Sequence, residues 1–232
     1  MIGERSGVRI GRIDELLRDG FVTDFIVNIE SGYEILISGG EIKKVVKGKI
    51  KSRKATVYDL SSCTLMPGLI DCHVHVTSVK LKWAMNSLQQ ILPSYATAIT
   101  LDKLRRCVLR GFTTVRDTAG ADVGHREIMR SGLFPGPRLF VSGRAISQTG
   151  GHADMRSRID HSDPCNCFHM IGSLSGGMGR IADGIAEVRR AVRDEIRLGV
   201  DQIKVMASCV LWSPAVPILF IHYSLDEVSD IF

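Results

Sequence analysis

The 232 residues contain no apolar run long enough to cross a bilayer. The longest, over residues 211–221, is interrupted by Pro214 and Pro217, and a spanning helix needs about 20 residues. A secretory leader is not expected either, because Arg5, Arg9, Arg12, Asp14, Glu15 and Asp19 break up the stretch where an apolar leader core would lie. Cysteine is present but unpatterned: residues 63, 72, 107, 165, 167 and 209 form no C-x-x-C pair, which argues against a disulfide scaffold or a structural zinc knuckle. Cys165 and Cys167 read as free thiols in a loop rather than as a pinch for a metal. Charge of one sign is not concentrated. The formal charge is +5, but the densest basic stretch, residues 43–54, alternates with apolar positions, as a solvated face does. Nucleic acid and membrane are therefore not expected as partners, and a reducing cytoplasmic setting is.

What is present is ordinary for a folded domain: 44% hydrophobic and 24% charged residues, which excludes disordered and fibrous classes. The length allows one domain, or a small domain with part of a larger one. Residues 33–37, 41–46 and 56–60 alternate in strand fashion around Gly39-Gly40, predicting a small antiparallel sheet. After Pro67-Gly68 the rhythm changes to strands separated by helices. Strands are expected over residues 69–76, 112–117, 138–142 and 201–207. Helices are expected over 101–110 with Thr100 as N-cap, within 120–131, and over 182–198. The last has Ile185, Val188, Val192 and Ile196 on one stripe, most of the charged residues off it, and Gly199 at its end. This alternation is that of βαβ units on a parallel sheet, either open and doubly wound or closed into a barrel. A polar, Gly-rich insertion over 147–179 lies where functional loops are placed, and its Ser175-Gly176-Gly177-Met178-Gly179 run lacks the Lys-Ser or Lys-Thr of a phosphate loop. Ser224-Leu225-Asp226-Glu227 has the spacing of a capping box.

His73 and His75 end the first of these strands. Two residues apart, their side chains point to the same side, as a chelating pair requires, although so short a triplet also occurs on plain polar faces. Lys204, inside the apolar fourth strand, would lose part of its affinity for a proton on burial and become a neutral, nucleophilic amine. The alternative is a lysine that snorkels to solvent.

The strand Leu65-Met66-Pro67-Gly68-Leu69-Ile70-Asp71-Cys72-His73-Val74-His75 closely resembles the opening strand of the amidohydrolase superfamily. The resemblance continues through Gly111-Phe112-Thr113-Thr114-Val115-Arg116-Asp117, Gly136-Pro137-Arg138, Gly150-Gly151-His152-Ala153-Asp154 and Asp201-Gln202-Ile203-Lys204-Val205-Met206-Ala207-Ser208. It is closest to the dipeptidase, prolidase-like and imidazolonepropionase-related branch. It implies an α/β fold in which residues 1–64 form part of a small β-sandwich and residues 65–232 about the first four strands of a TIM-like (β/α)8 barrel, with the site at the C-terminal ends of the strands. It implies a binuclear centre, usually zinc, in which His73 and His75 are metal ligands and Lys204, carboxylated by carbon dioxide, bridges the metals. It gives His152 and Tyr223 contacts to a substrate carboxylate, and leaves Arg116 and Asp117 lining the mouth or bonded within the barrel. The expected activity is hydrolysis of amide, cyclic amide or dipeptide bonds.

The family also draws two histidines from its fifth and sixth strands and an aspartate from its eighth. None of these has a counterpart here, so no complete catalytic set is expected, and truncation, an imperfect gene model or a decayed copy would each explain it. Near the end, Ser208-Cys209-Val210-Leu211-Trp212-Ser213-Pro214 replaces Ser-Gly-Gly-Val-x-Ser-Pro, and Val216 and Leu219 stand at positions usually acidic. The alternative function is a catalytically inactive half-barrel remnant or interaction protein that self-associates through its open edge. A purified chain of this kind is expected to hold well under one zinc and to hydrolyse no dipeptide.

Overall fold

A computed structural model of the protein describes residues 15–23, 29–51, 55–60, 63–78, 92–154, 178–208 and 221–229. Cys165, Cys167, Cys209, Val216, Leu219 and most of the 147–179 insertion, Ser175 to Gly177 included, lie outside the described residues. The chain divides into two compact units, Met1–Leu69 and Ile70–Phe232.

The first unit is a five-stranded sheet: β1 (Glu15–Thr23), β2 (Ile29–Ser38), β3 (Glu41–Lys47), β4 (Thr56–Asp59) and β5 (Thr64–Leu65). The order is β3-β2-β1-β4, with β5 also on β1. The β2–β3 hairpin turns at Gly39 and Gly40, both with positive φ. The sheet is mixed, not antiparallel as expected, because β1 pairs in parallel with β4 and β5. Ile35 and Leu60 are its buried centre, with Ile37, Tyr58 and Leu65 packed against them.

The second unit is α/β. A sheet of order β6-β7-β8 is built from β6 (Leu69–Val74), β7 (Phe112–Asp117) and β8 (Arg138–Phe140), with β7 and β8 parallel. Two three-residue strands, β9 (Ala145–Ser147) and β10 (Gly179–Ile181), pair in parallel. The expected fourth strand is reduced to a parallel bridge between Ile146 and Val205 and an antiparallel one between Ser208 and Ile221, although backbone bonds Ile146 N to Lys204 O and Met206 N to Ile146 O (2.8 and 2.9 Å) still seat it against β9. The described strands do not close into a barrel.

Helix α1 (Pro93–Leu109) starts eight residues before the expected position, with Pro93 in its first turn, where the missing N–H costs nothing. Thr100 is accordingly no cap: its hydroxyl donates to Ala96 O one turn back. Helix α2 (Val123–Arg130) is capped by Asp122, whose carboxylate accepts from His125 N at 3.0 Å. Helix α3 (Gly184–Leu198) ends at Gly199 with φ +87°. It buries Val188, Ala191, Val192 and Glu195, so the buried stripe is rotated from the expected one, and Ile185 and Ile196 are exposed. Glu195 tolerates burial because Arg144 Nε donates to it at 3.0 Å and Arg180 approaches it at 3.8 Å. The capping box forms as expected: Ser224 and Glu227 exchange backbone-to-side-chain bonds at the start of α4 (Leu225–Ser229).

One core joins Leu104 of α1 to Val115, Leu139, Val141, Val76 and Ala121. Another joins α3 to Ile146, Ala182 and Tyr223. Leu104 and Val115 are essentially inaccessible, and burial of such a side chain contributes about 1.5–3 kcal/mol. Between them these cores hold β6, β7 and the Lys204 segment as fixed supports for the polar residues at their ends.

Candidate metal centre

His73 and His75 follow each other along and just beyond β6, and their ring centroids lie 5.6 Å apart in an edge-to-face arrangement at 71°. His73 N donates to Asp71 Oδ1 at 3.0 Å. Nδ1 of His75 stands 3.4 Å from Ala119 O.

The end of β6 is pinned by the turn that follows β7. Asp117, fully buried, accepts Ala119 N and Ala121 N on Oδ1 (3.0 and 3.1 Å) and Val76 N on Oδ2 (2.8 Å). Burial pushes its carboxyl above the usual carboxylate range despite these donors and His75. Thr118 N adds a 2.9 Å bond to Val74 O. Gly120, at φ +109°, passes so close that a Cβ there would meet Thr77 Oγ1 at 2.1 Å, so only glycine fits.

Lys204 is brought to the same region. Two residues before it, Gln202 Nε2 donates to Asp117 O at 3.0 Å, and the Lys204 amine lies close enough to His73 and His152 to act on both electrostatically. Its amine is held below the ordinary lysine value by burial and by Arg116. His73 is held below the ordinary imidazole value by burial first, then by Lys204, His75 and Arg116.

His152 follows the sharp turn after β9, where a Cβ on Gly151 would meet Ser147 Oγ at 2.4 Å. Its Nδ1 is buried without a hydrogen-bond partner among the described residues. Burial, then His222, Lys204 and His75, hold its imidazole below the ordinary histidine value. Tyr223 is 4% exposed in the core that joins α3 to Ile203 and Val205 on either side of Lys204, and its hydroxyl donates to Ala182 O at 3.1 Å. The proximity of Asp183 and Glu227, added to burial, raises its phenol. The residue that sequence reasoning missed is His222. It is buried, with its backbone N on Ala207 O (3.2 Å) and Nδ1 on Met206 O (2.9 Å). A single histidine with no partner at ligand spacing carried no signal.

The groups that gather here, namely the His73 and His75 imidazoles, the buried His152 Nδ1 without a partner among the described residues and a lysine amine held below its ordinary value, suit a divalent cation in kind. Among the described residues no three of His, Cys, Asp or Glu stand close enough together to hold one.

Residues 64–231 match the model of the amidohydrolase family. Ochratoxinase from Aspergillus niger is 33% identical over 174 residues, which are 72% of this chain and 36% of that protein. Among solved structures, an amidohydrolase is 44% identical with a TM-score of 0.84, and a prolidase crystallised with N-methylphosphonate-L-proline is 38% identical with a TM-score of 0.85. Each alignment covers 94% of this chain and 52% of the other. The chain thus spans about half the length of these solved relatives and about a third of the curated one.

Proposed function

The chain belongs to the amidohydrolase family, and from that premise we propose that it carries the first arm of the metal centre of a hydrolase acting on carbon–nitrogen bonds of amide, cyclic amide or dipeptide type. Members of the family are metal-dependent. One observation carries the reading: two imidazoles 5.6 Å apart at the end of β6 share their surroundings with a lysine amine that burial and Arg116 hold low. In this reading β6, β7, β8 and residues 201–207 are the first four strands of a (β/α)8 barrel. The likeness to a prolidase at 38% identity favours a dipeptide-like substrate.

His73 and His75 would hold a metal through their unprotonated nitrogens, and Lys204 would bridge two metals once carboxylated. Zinc suits this mixture of nitrogen and carboxylate-type donors. Two bound metals supply Lewis-acid polarisation of the scissile carbonyl and an activated water. The protein's own part is to aim and dry the site. Asp117 and Gly120 fix the end of β6, Gln202 ties the Lys204 segment to the end of β7, and His152 would serve the substrate's polar end. Tyr223 has no part in this reading, since its hydroxyl is engaged by Ala182.

The second reading, a half-barrel without turnover, is favoured by the lack of a three-donor cluster among the described residues. The end position of β6 in its sheet and the exposure of Ile70 support self-association through that edge. Titration with cobalt(II) separates family chemistry from none. The account expects a weak nitrogen-ligated spectrum that His73→Ala and His75→Ala both abolish, and equal spectra in all three proteins would sink it. Assay of Xaa-Pro dipeptides at saturating metal then distinguishes an enzyme from the remnant.

A further inference from the structure

Lys103 lies within α1 beside Leu104, which shares a core with Val76 just beyond the end of β6. Its Nζ donates to Val76 O at 3.2 Å. Val76 is 4% exposed and directly follows His75. A cationic side chain of α1 therefore reaches the backbone one residue past a candidate metal ligand, from 27 residues away in the chain.

The bonds around this residue form a clamp. Val76 N donates to Asp117 Oδ2 at 2.8 Å, while Val76 O accepts from Lys103. Both backbone groups of one residue thus meet a charged side chain of the complementary kind, the stronger class of hydrogen bond. His75 O accepts from Ser78 N at 3.2 Å, closing a four-residue turn over 75–78 whose central peptide joins Val76 to Thr77. The carbonyl that Lys103 holds belongs to that central peptide. Just before the turn, Thr118 N holds Val74 O at 2.9 Å. The turn that His75 opens is therefore fastened on one side to the segment after β7 and on the other, through Lys103, to α1.

We propose that Lys103 is a positioning residue for His75: by anchoring the turn that His75 opens, it sets the direction in which that imidazole is presented to a metal. The inference rests on the reading of His73 and His75 as metal ligands. Without the amine, a carbonyl of a buried residue loses its charged donor, a costly state that the turn relieves by swinging the carbonyl toward water. His75 moves with the turn, whereas His73, whose backbone N–H is held by Asp71, stays in place. Charge alone acts in the opposite sense. A cation near the site repels a divalent metal, so its removal would tighten metal binding if Lys103 acted only through its charge. The sign of the change separates positioning from electrostatics.

The test is isothermal titration of the full chain with zinc, on proteins whose far-UV circular dichroism matches. Lys103→Met should lower zinc affinity about tenfold, the lower end of the loss that follows when a metal ligand is deprived of its outer partner, although a positive charge has been removed. Arg106→Met, which takes a cation from the same helix where it is exposed and paired with Asp102, should bind zinc as the wild type does. Should Lys103→Met fail to fold, Lys103→Gln takes its place, since its amide is one atom too short to reach the carbonyl, and the same loss is expected. Zinc affinity in the Lys103 variant equal to or above that of the wild type, while His75→Ala lowers it, would overturn the role of Lys103 alone, even if its urea midpoint falls. An equal loss in Arg106→Met would overturn that role as well. Wild-type zinc binding left unchanged by His75→Ala would overturn the metal-ligand reading and this role together.

Discussion

Replacing Asp117 should unfasten the end of β6 and, with it, the histidine pair. Its carboxylate accepts three backbone N–H groups at 2.8, 3.0 and 3.1 Å in a fully buried position. In Asp117→Ala all three donors lose their acceptor. A buried donor without a partner costs about 1–3 kcal/mol, so three sum to about 3–9 kcal/mol, comparable with the whole stability of a small domain at about 5–15 kcal/mol. Asp117→Asn is the finer probe. Its oxygen can keep Ala119 and Ala121, but its NH2 then meets the Val76 N–H, donor against donor. That should cost about 2–4 kcal/mol: one bond to a charged group lost and one donor stranded. Urea unfolding followed by circular dichroism at neutral pH measures it, through a lowered midpoint at unchanged slope. A midpoint for Asp117→Asn equivalent to less than about 0.5 kcal/mol of destabilisation, the range of ordinary surface changes, would refute the claim that this carboxylate holds β6 to the β7 turn.

Tyr223→Phe should cost only about 1 kcal/mol, the worth of one neutral hydrogen bond, and leave cobalt uptake unchanged, because the hydroxyl serves Ala182; a lost metal spectrum in this variant would return Tyr223 to the site. Glu195→Ala should cost about 3–5 kcal/mol, since it strands Arg144 partly buried, while Arg180 keeps Asp194 at 2.7 Å; thermal unfolding indistinguishable from the wild type would show the Glu195 pair to be idle. Stability of the metal-free chain should fall on acidification below about pH 6.5, where unfolded imidazoles take up protons. His73 and His152 have folded-state values below the ordinary one, so the unfolded state binds more protons in that window and stability rises with pH through it. A pH series of denaturant midpoints, flattened in His73→Ala with His152→Ala, checks the sign.

Legibility of the fold followed the range of the forces involved. Strand β7, the Ser224 to Glu227 box and the Gly199 stop are set by neighbours within four residues, and all stand where local pattern predicts them. Strand β1 escaped because Arg18-Asp19-Gly20 interrupts its alternation, yet pairing on both sides makes it central. The start of α1 was misplaced because threonine before a helical pattern looks like a cap, whereas Thr100 bonds back into the preceding turn. Strands β9 and β10 are too short for a period to show. The buried face of α3 turned on Glu195, whose partners lie 15 and 51 residues away. At the site the same division holds. His73, His75 and Lys204 stand in recognisable local strings, while His222 and the engagement of Tyr223 depend on Met206, Ala207 and Ala182, contacts that spacing does not reveal.

The central claim is that the His73 and His75 imidazoles act together toward a metal. Isothermal titration of the apo chain with zinc, in parallel with His73→Ala, His75→Ala and the double variant, tests it most directly. The account predicts weak binding to the wild-type chain, weaker than a closed site of three protein ligands and water would give, with each single variant reduced at least about tenfold and the double variant no worse than the singles, as expected for two ligands acting as a unit. Zinc heats unchanged by either substitution would contradict it.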